Sequence, residues 1–150
     1  MLVTHRTFTK SLFATAILAM GIAGCNAMPP SNTVALTAQL SAANEVPPAA
    51  STGTGMAEAS LNKETNVLTW KVTFSGLTGP ATAGHFHGPA ASGSNAGVVV
   101  PFAGTTSPLQ GQATLTPAQA ADLLAGKWYA NVHTAANKGG EIRGQMAPKM

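Results

Sequence analysis

The chain has 150 residues, of which 45% are hydrophobic, 5% aromatic and 9% charged, and its formal net charge is +3. This length fits one ordinary domain plus a targeting segment. The sparse charge, with no basic patch and no long run of one sign, argues against a nucleic-acid-binding protein and against a charged disordered tail. Ala, Gly, Thr and Val dominate the composition, which favours strands over large helices.

The first 24 residues have the organisation of a secretory signal peptide. A basic start containing His5, Arg6 and Lys10 is followed by an apolar run over residues 11–22. This run is shorter than the roughly 20 residues that span a bilayer, so cleavage is favoured over a transmembrane helix. Without this segment the chain keeps six basic and five acidic residues. The net positive charge therefore belongs largely to the leader.

Cys25 is the only cysteine, and it follows the small residues Ala23 and Gly24. This context resembles a bacterial lipobox, in which the peptidase cleaves before a lipidated cysteine. The alternative is an ordinary signal peptide with a free thiol. We expect a lipoprotein signal peptide over residues 1–24, a lipidated cysteine and tether over 25–33, and a folded domain over 34–148. The acyl chains on Cys25 would anchor the protein in the cell envelope, facing the extracytoplasmic side. In a Gram-negative cell this is the periplasm or the outer membrane.

Alternating apolar and polar residues predict strands in the first half of the domain. The pattern runs through residues 34–40, near 55–61 and most clearly through 67–74, where Trp70 and Phe74 are expected to point inward. Turns rich in Gly, Pro and Asn separate these segments. Several short strands with such turns indicate an antiparallel β-sandwich or barrel.

One short helix is predicted near residues 117–125. Thr116 is a suitable N-cap, Pro117 suits the first helical position, and Gln119 completes a capping box. Gly126 provides the stop. The helix is too short to be stable alone, so it must pack on the sheet, with Leu123 and Leu124 as its expected anchors.

Three histidines of the domain are predicted to lie on one strand face. In residues 83–87 the apolar Phe86 should point into the core, which leaves His85 and His87 on the opposite face. The same alternation in residues 127–134 places His133 outward. If these strands are neighbours, the three imidazoles could bind copper or zinc and leave a coordination position open. The alternative is a structural role, with the imidazoles hydrogen-bonded to backbone or turn groups.

The C-terminal stretch after His133 adds two charged candidates. A turn containing paired glycines should fold back and bring Glu141 or Arg143 near His133. Arg143 could then attract an anion beside a metal, and Glu141 could orient an imidazole ligand. The structural alternative is a charged pair on a strand face, which contributes little to stability when exposed.

Three blocks of the sequence together resemble the chordin (CHRD) domain, which occurs in animal chordin and in many bacterial secreted proteins. They read LTAQLSAANEVPP, GHFHGPA and GKWYANVHTAANKGGEIRGQM, and they follow the family's order over residues 34–147. Lys138 is a departure, because the family often has proline there. The resemblance implies an immunoglobulin-like or Greek-key β-sandwich, and it implies no activity for a bacterial member.

Two classes of function follow. One is a non-enzymatic envelope module that presents loops such as residues 88–97 to a protein or glycan partner. The other is a copper- or zinc-binding module. The histidine pattern has a weaker similarity to copper-zinc superoxide dismutase, in which case Arg143 would steer an anionic substrate. The sequence lacks a fourth copper histidine, a separate zinc cluster and a disulfide. No nucleophile or phosphate-binding motif points to another enzyme class.

Overall fold

A computed structural model describes residues 1–2 and 32–149, and within them the chain forms nine strands and one α-helix. A 3-10 turn over Ala42–Asn44 follows the first strand. The elements are β1 (Thr33–Ser41), β2 (Thr54–Asn62), β3 (Val67–Ser75), β4 (Ala81–His87), β5 (Val98–Pro101), β6 (Leu109–Thr114), α1 (Pro117–Leu124), β7 (Tyr129–Thr134), β8 (Ile142–Gln145) and β9 (Ala147–Pro148).

All strand pairs are antiparallel, and the strand order is β5-β4-β7-β8-β1-β2-β3-β6, with β9 pairing to β1. The two halves of this order are joined where Ser41 of β1 pairs with Arg143 of β8. Side chains from both halves meet in one core, so the sheet folds over itself into a two-layered structure. The prediction of an all-β antiparallel fold with one short helix is confirmed.

The core is centred on aromatic rings from both layers. The Phe86 ring lies edge-on to Trp70 and Phe102, with ring centroids 5.6 and 4.8 Å apart, and near Trp128 at 6.2 Å. Such edge-to-face aromatic pairs stabilise the fold by more than their buried apolar area alone accounts for. Trp70 and Phe74 both point inward as expected, but Trp70 is buried and Phe74 is only partly buried, at the margin of the core.

Helix α1 begins and ends as its sequence predicts. The Thr116 side chain accepts a hydrogen bond from the Gln119 backbone N–H, and the Gln119 side chain accepts one from the Thr116 backbone N–H. Gly126 follows with φ of 71°, a conformation that glycine adopts without strain. Leu123 is fully buried and Leu124 is partly buried against the core. The short helix is therefore held by its cap and by the sheet.

Strands β5 and β6, which were not predicted, form the two ends of the strand order. The β6 sequence, LQGQAT, has small and polar residues because only one of its faces meets the core. At Gly111, a Cβ atom would come 2.5 Å from the Trp70 ring. A glycine that weakens the strand signal is thus required by the neighbouring tryptophan.

Cys25 and most of the predicted signal peptide fall in residues 3–31, outside the described residues. The lipidation site therefore stays a prediction. Across residues 1–2 and 32–149, no helix combines the length and the apolar character needed to cross a membrane.

Candidate metal centre

Strands β4 and β7 place the three histidines on the face opposite the core. Phe86 of β4 and Val132 of β7 are fully buried in the core, so the alternation turns His85, His87 and His133 to the other side. The two strands pair directly, with Ala83 opposite His133. Strands β4 and β7 are therefore neighbours, as the metal-binding hypothesis required.

The three imidazoles come close enough to bind one metal ion. Each contributes one nitrogen to a set whose members lie within 4.8 Å of one another. His85 Nδ1 and His133 Nε2 approach each other to 3.1 Å. His87 and His133 are only 8% and 9% exposed, whereas His85 is half-buried and reaches the surface. The cluster is thus largely enclosed but open on the side of His85.

Backbone carbonyl groups determine which nitrogens carry protons in two of the rings. His87 Nδ1 donates to the Ala96 carbonyl oxygen at 2.9 Å, and His133 Nδ1 donates to the Lys138 carbonyl oxygen at 2.9 Å. A neutral imidazole with a proton on Nδ1 has its lone pair on Nε2. Metal-binding histidines in proteins are commonly oriented by such a bond from the other ring nitrogen. Both Nε2 atoms are therefore ready to act as ligands.

The surroundings also favour the neutral, metal-binding form of His85 and His87. Burial lowers the pKa of His85, and the nearby His133 and His87 lower it further. Burial likewise lowers the pKa of His87, against hydrogen bonds to Ala96 and Asn131 that raise it; His133 and Arg143 add to the lowering. A proton is thus disfavoured at the positions where an ion would bind.

Asn131 lies at the centre of the cluster. It is directly opposite His85 on β4 and opposite Arg143 on β8, and it is 1% exposed. Its Oδ1 atom is 3.0 Å from His87 Nε2 and 3.0 Å from His133 Nε2. The alternation in the sequence places Asn131 on the histidine face, but an isolated asparagine gave no reason to assign it to the site.

The loop over residues 88–97 covers this face of the sheet, and Arg143 fastens it there. Arg143 Nη1 donates to Asn95 Oδ1 at 2.9 Å and Nη2 donates to the Ser94 carbonyl oxygen at 2.6 Å. The guanidinium carbon also lies 3.4 Å from the centroid of the Tyr129 ring, which in turn stacks on His87. Arg143 therefore holds the loop over residues 88–97 in place, and its suggested role in attracting an anion stays a prediction.

Glu141 is fully buried and is bonded to a different set of groups. Its carboxylate accepts hydrogen bonds from Ser51 Oγ, from the backbone N–H and hydroxyl of Thr78, from Thr134 Oγ1 and from Asn137 Nδ2. Burial by itself raises the pKa of this carboxyl, but the hydrogen bonds outweigh it and bring the pKa to about 2. Glu141 therefore ties the ends of several strands together. None of the described hydrogen bonds connects it to the three histidines.

Among the described residues Glu141 and Arg143 form no ion pair with each other, so the structural alternative of a charged pair on a strand face is wrong. Both side chains are buried, at 0% and 2% exposure, and each has its own partners. The alternation of the sequence correctly places them on the histidine face. It gives no sign that the loop over residues 88–97 and the preceding turns cover that face.

Glu45 is a buried carboxyl that the sequence did not single out. It is 5% exposed, and its Oε1 atom has no hydrogen-bond partner among the described residues. Burial raises the pKa of Glu45 to about 7, although Arg143, the Val46 backbone and the Asn131 amide each lower it. A Cβ atom at Gly140 would come 2.2 Å from Glu45 Oε1 and 2.9 Å from Asn131 Nδ2. The carboxyl and the amide therefore share the small space beside Gly140.

Comparison with protein families identifies the domain. A family model for the CHRD domain matches residues 36–146, which is more than half of the chain. No curated protein and no solved structure shows significant similarity to it. The three blocks that carried the resemblance, including the histidine segments, fall within the matched range. The chain belongs to the CHRD domain family.

Proposed function

We propose that this protein is a lipid-anchored module of the cell envelope whose CHRD domain binds one copper or zinc ion through His85, His87 and His133. Membership of the CHRD family supports a non-enzymatic module and leaves its specific role open. The observation that carries the metal proposal is the convergence of three imidazole nitrogens within 4.8 Å.

The chemistry of the donors supports copper or zinc over harder ions. Imidazole nitrogen suits zinc and copper, whereas calcium and magnesium prefer oxygen ligands. Two of the three rings are already oriented by bonds to the Ala96 and Lys138 carbonyl groups. Little side-chain entropy would then be lost on binding, which favours affinity.

The envelope part of the proposal rests on the N-terminal sequence. The basic start, the short apolar run and Cys25 match a lipoprotein leader. The exposed outer surface of the loop over residues 88–97 offers a contact area for a protein or glycan partner.

Titration with Cu²⁺ and Zn²⁺ tests the metal proposal. We expect binding at one ion per chain in a calorimeter at neutral pH, and loss of that binding in a His85→Ala/His87→Ala variant. Cys25 should be replaced by serine in every sample, because a free thiol would compete for both metals. His5→Ala is the matched control, since His5 is the one histidine outside the cluster. Equal binding by the double variant and the wild-type protein would contradict the proposal.

Replacement of Cys25 by alanine tests the anchor. We expect the variant to take up no radiolabelled palmitate and to leave the membrane fraction, because its acyl chains would be missing. Asn26→Asp is the matched control, since it changes the adjacent residue and keeps the thiol. Label in the Cys25→Ala protein would show that the lipid is attached at another residue, which would contradict the proposed anchor.

A further inference from the structure

Asn131 Oδ1 lies between two ring nitrogens that could donate to it only if each imidazole carried a proton on both of its nitrogens. It is 3.0 Å from Nε2 of both His87 and His133. Each of those rings uses its Nδ1 proton to bond a backbone carbonyl group. A neutral ring then presents a lone pair from Nε2, and an amide oxygen is itself only an acceptor.

An amide oxygen 3.0 Å from two ring nitrogens that hold lone pairs is repelled by them unless a cation lies between the atoms. The required cation is a proton on each ring or one metal ion. One metal ion could serve both contacts at once, because the three imidazoles each offer a nitrogen within 4.8 Å of the others. Two ligands about 2.0–2.2 Å from one ion at a tetrahedral angle are about 3.3–3.6 Å apart. The separations of 3.0 and 3.1 Å are slightly shorter than this, and the histidine nitrogens, which lie within 4.8 Å of one another, would adjust to it on binding.

The other end of the amide group faces Glu45. Asn131 Nδ2 and Glu45 Oε1 border the same space beside Gly140. Glu45 Oε1 is buried without a hydrogen-bond partner among the described residues. A buried acceptor on that side favours the amide orientation that directs Oδ1 at the histidines.

We propose that Asn131 Oδ1 is the fourth ligand of the metal ion, which completes a site of three imidazole nitrogens and one amide oxygen. This inference rests on the proposed metal binding and specifies its type. Four protein ligands make a closed site, and closed sites stabilise folds, whereas catalytic sites keep a position for water or substrate. The bound ion would therefore join β4 to β7 and fix the cluster.

The test compares Zn²⁺ affinity and the visible spectrum of the Co²⁺ form in three proteins. Asn131→Leu has a similar volume and no oxygen, so it should weaken Zn²⁺ binding at least about tenfold. Asn131→Asp supplies a charged oxygen at the same point and should bind Zn²⁺ more tightly than the wild-type protein. Asn95→Asp is the matched control, because it adds the same charge beside Arg143 without touching the histidines.

Co²⁺ reports the ligand number directly. The wild-type protein and Asn131→Asp should show the intense visible bands of four-coordinate cobalt, and Asn131→Leu should lose or shift them as water enters. If Asn131 serves only as a hydrogen-bond donor to the rings, Asn131→Leu would bind Zn²⁺ as well as or better than the wild-type protein and keep its Co²⁺ spectrum. That result, with binding still dependent on His85 and His87, would overturn this inference alone. No histidine-dependent binding by the wild-type protein would overturn the proposed function as well.

Discussion

Replacement of Phe86 by alanine should lower the free energy of unfolding by about 3–5 kcal/mol, the cost typical of removing a fully buried phenylalanine. Phe86 is 0% exposed, and its ring contacts three other aromatic rings contributed by both layers of the structure. The cavity would open at the centre of the core, where strands cannot easily move together to fill it. Urea unfolding followed by tryptophan fluorescence measures the change.

Phe74→Ala is the matched control for this prediction. The same atoms are removed, but Phe74 is only partly buried and packs at the margin of the core. We expect Phe74→Ala to lower the free energy of unfolding by less than about half as much as Phe86→Ala, since Phe74 buries less apolar area on folding. Equal losses in the two variants would mean that the aromatic centre of the core is placed incorrectly.

Replacement of Glu141 by glutamine should destabilise the protein by roughly 3–6 kcal/mol at neutral pH. The carboxylate accepts five hydrogen bonds, and a glutamine NH₂ group cannot accept those that reach one of its two oxygens. At least two donors would lose their acceptor, at about 1.5–3 kcal/mol for each bond to a charged group. Glu58→Gln is the matched control, because Glu58 is exposed on β2 and its loss should be nearly neutral.

The effect of Glu141→Gln should depend on pH in a defined direction. The folded protein holds the pKa of Glu141 at about 2, below its ordinary value of 4.5. Stabilisation by this group is therefore complete above pH 4.5 and is lost as the pH falls through 2. The difference in unfolding free energy between the wild-type protein and the variant should shrink steadily between these values. A difference that stays constant down to pH 2.5 would show that shape, and not charge, makes Glu141 important.

The strand face of each residue near the site could be predicted from the sequence because period-two alternation is a local property. Phe86 and Val132 are apolar residues with polar neighbours on both sides, so the faces of His85, His87 and His133 followed directly. The pairing of β4 with β7 was only a condition in that argument. The two strands are far apart in the sequence, and a single amino-acid sequence does not reveal such a long-range contact.

Burial of the outer face could not be predicted from these patterns. Tyr129, Asn131 and Arg143 alternate with core residues and are polar or amphipathic, which is typical of a solvated face. The loop over residues 88–97 covers them, held by the Arg143 guanidinium and by Asn95, whose amide donates to the Val46 carbonyl oxygen at 2.9 Å. Alternation reports which residues share a side, and it contains no information on what a distant loop places over that side.

The pairing of β1 determines which way the histidine cluster would face in a cell. The predicted tether joins the domain at the Thr33 end of β1, whereas the cross-strand row of His85, Asn131 and Arg143 meets β1 at Ser41. The eight steps between the first and last of its nine residues, at about 3.3 Å each, separate these ends by roughly 26 Å. A domain attached to a bilayer through Cys25 would therefore present the cluster and its covering loop at the pole remote from the lipid, where dissolved ions and proteins of the compartment can reach them.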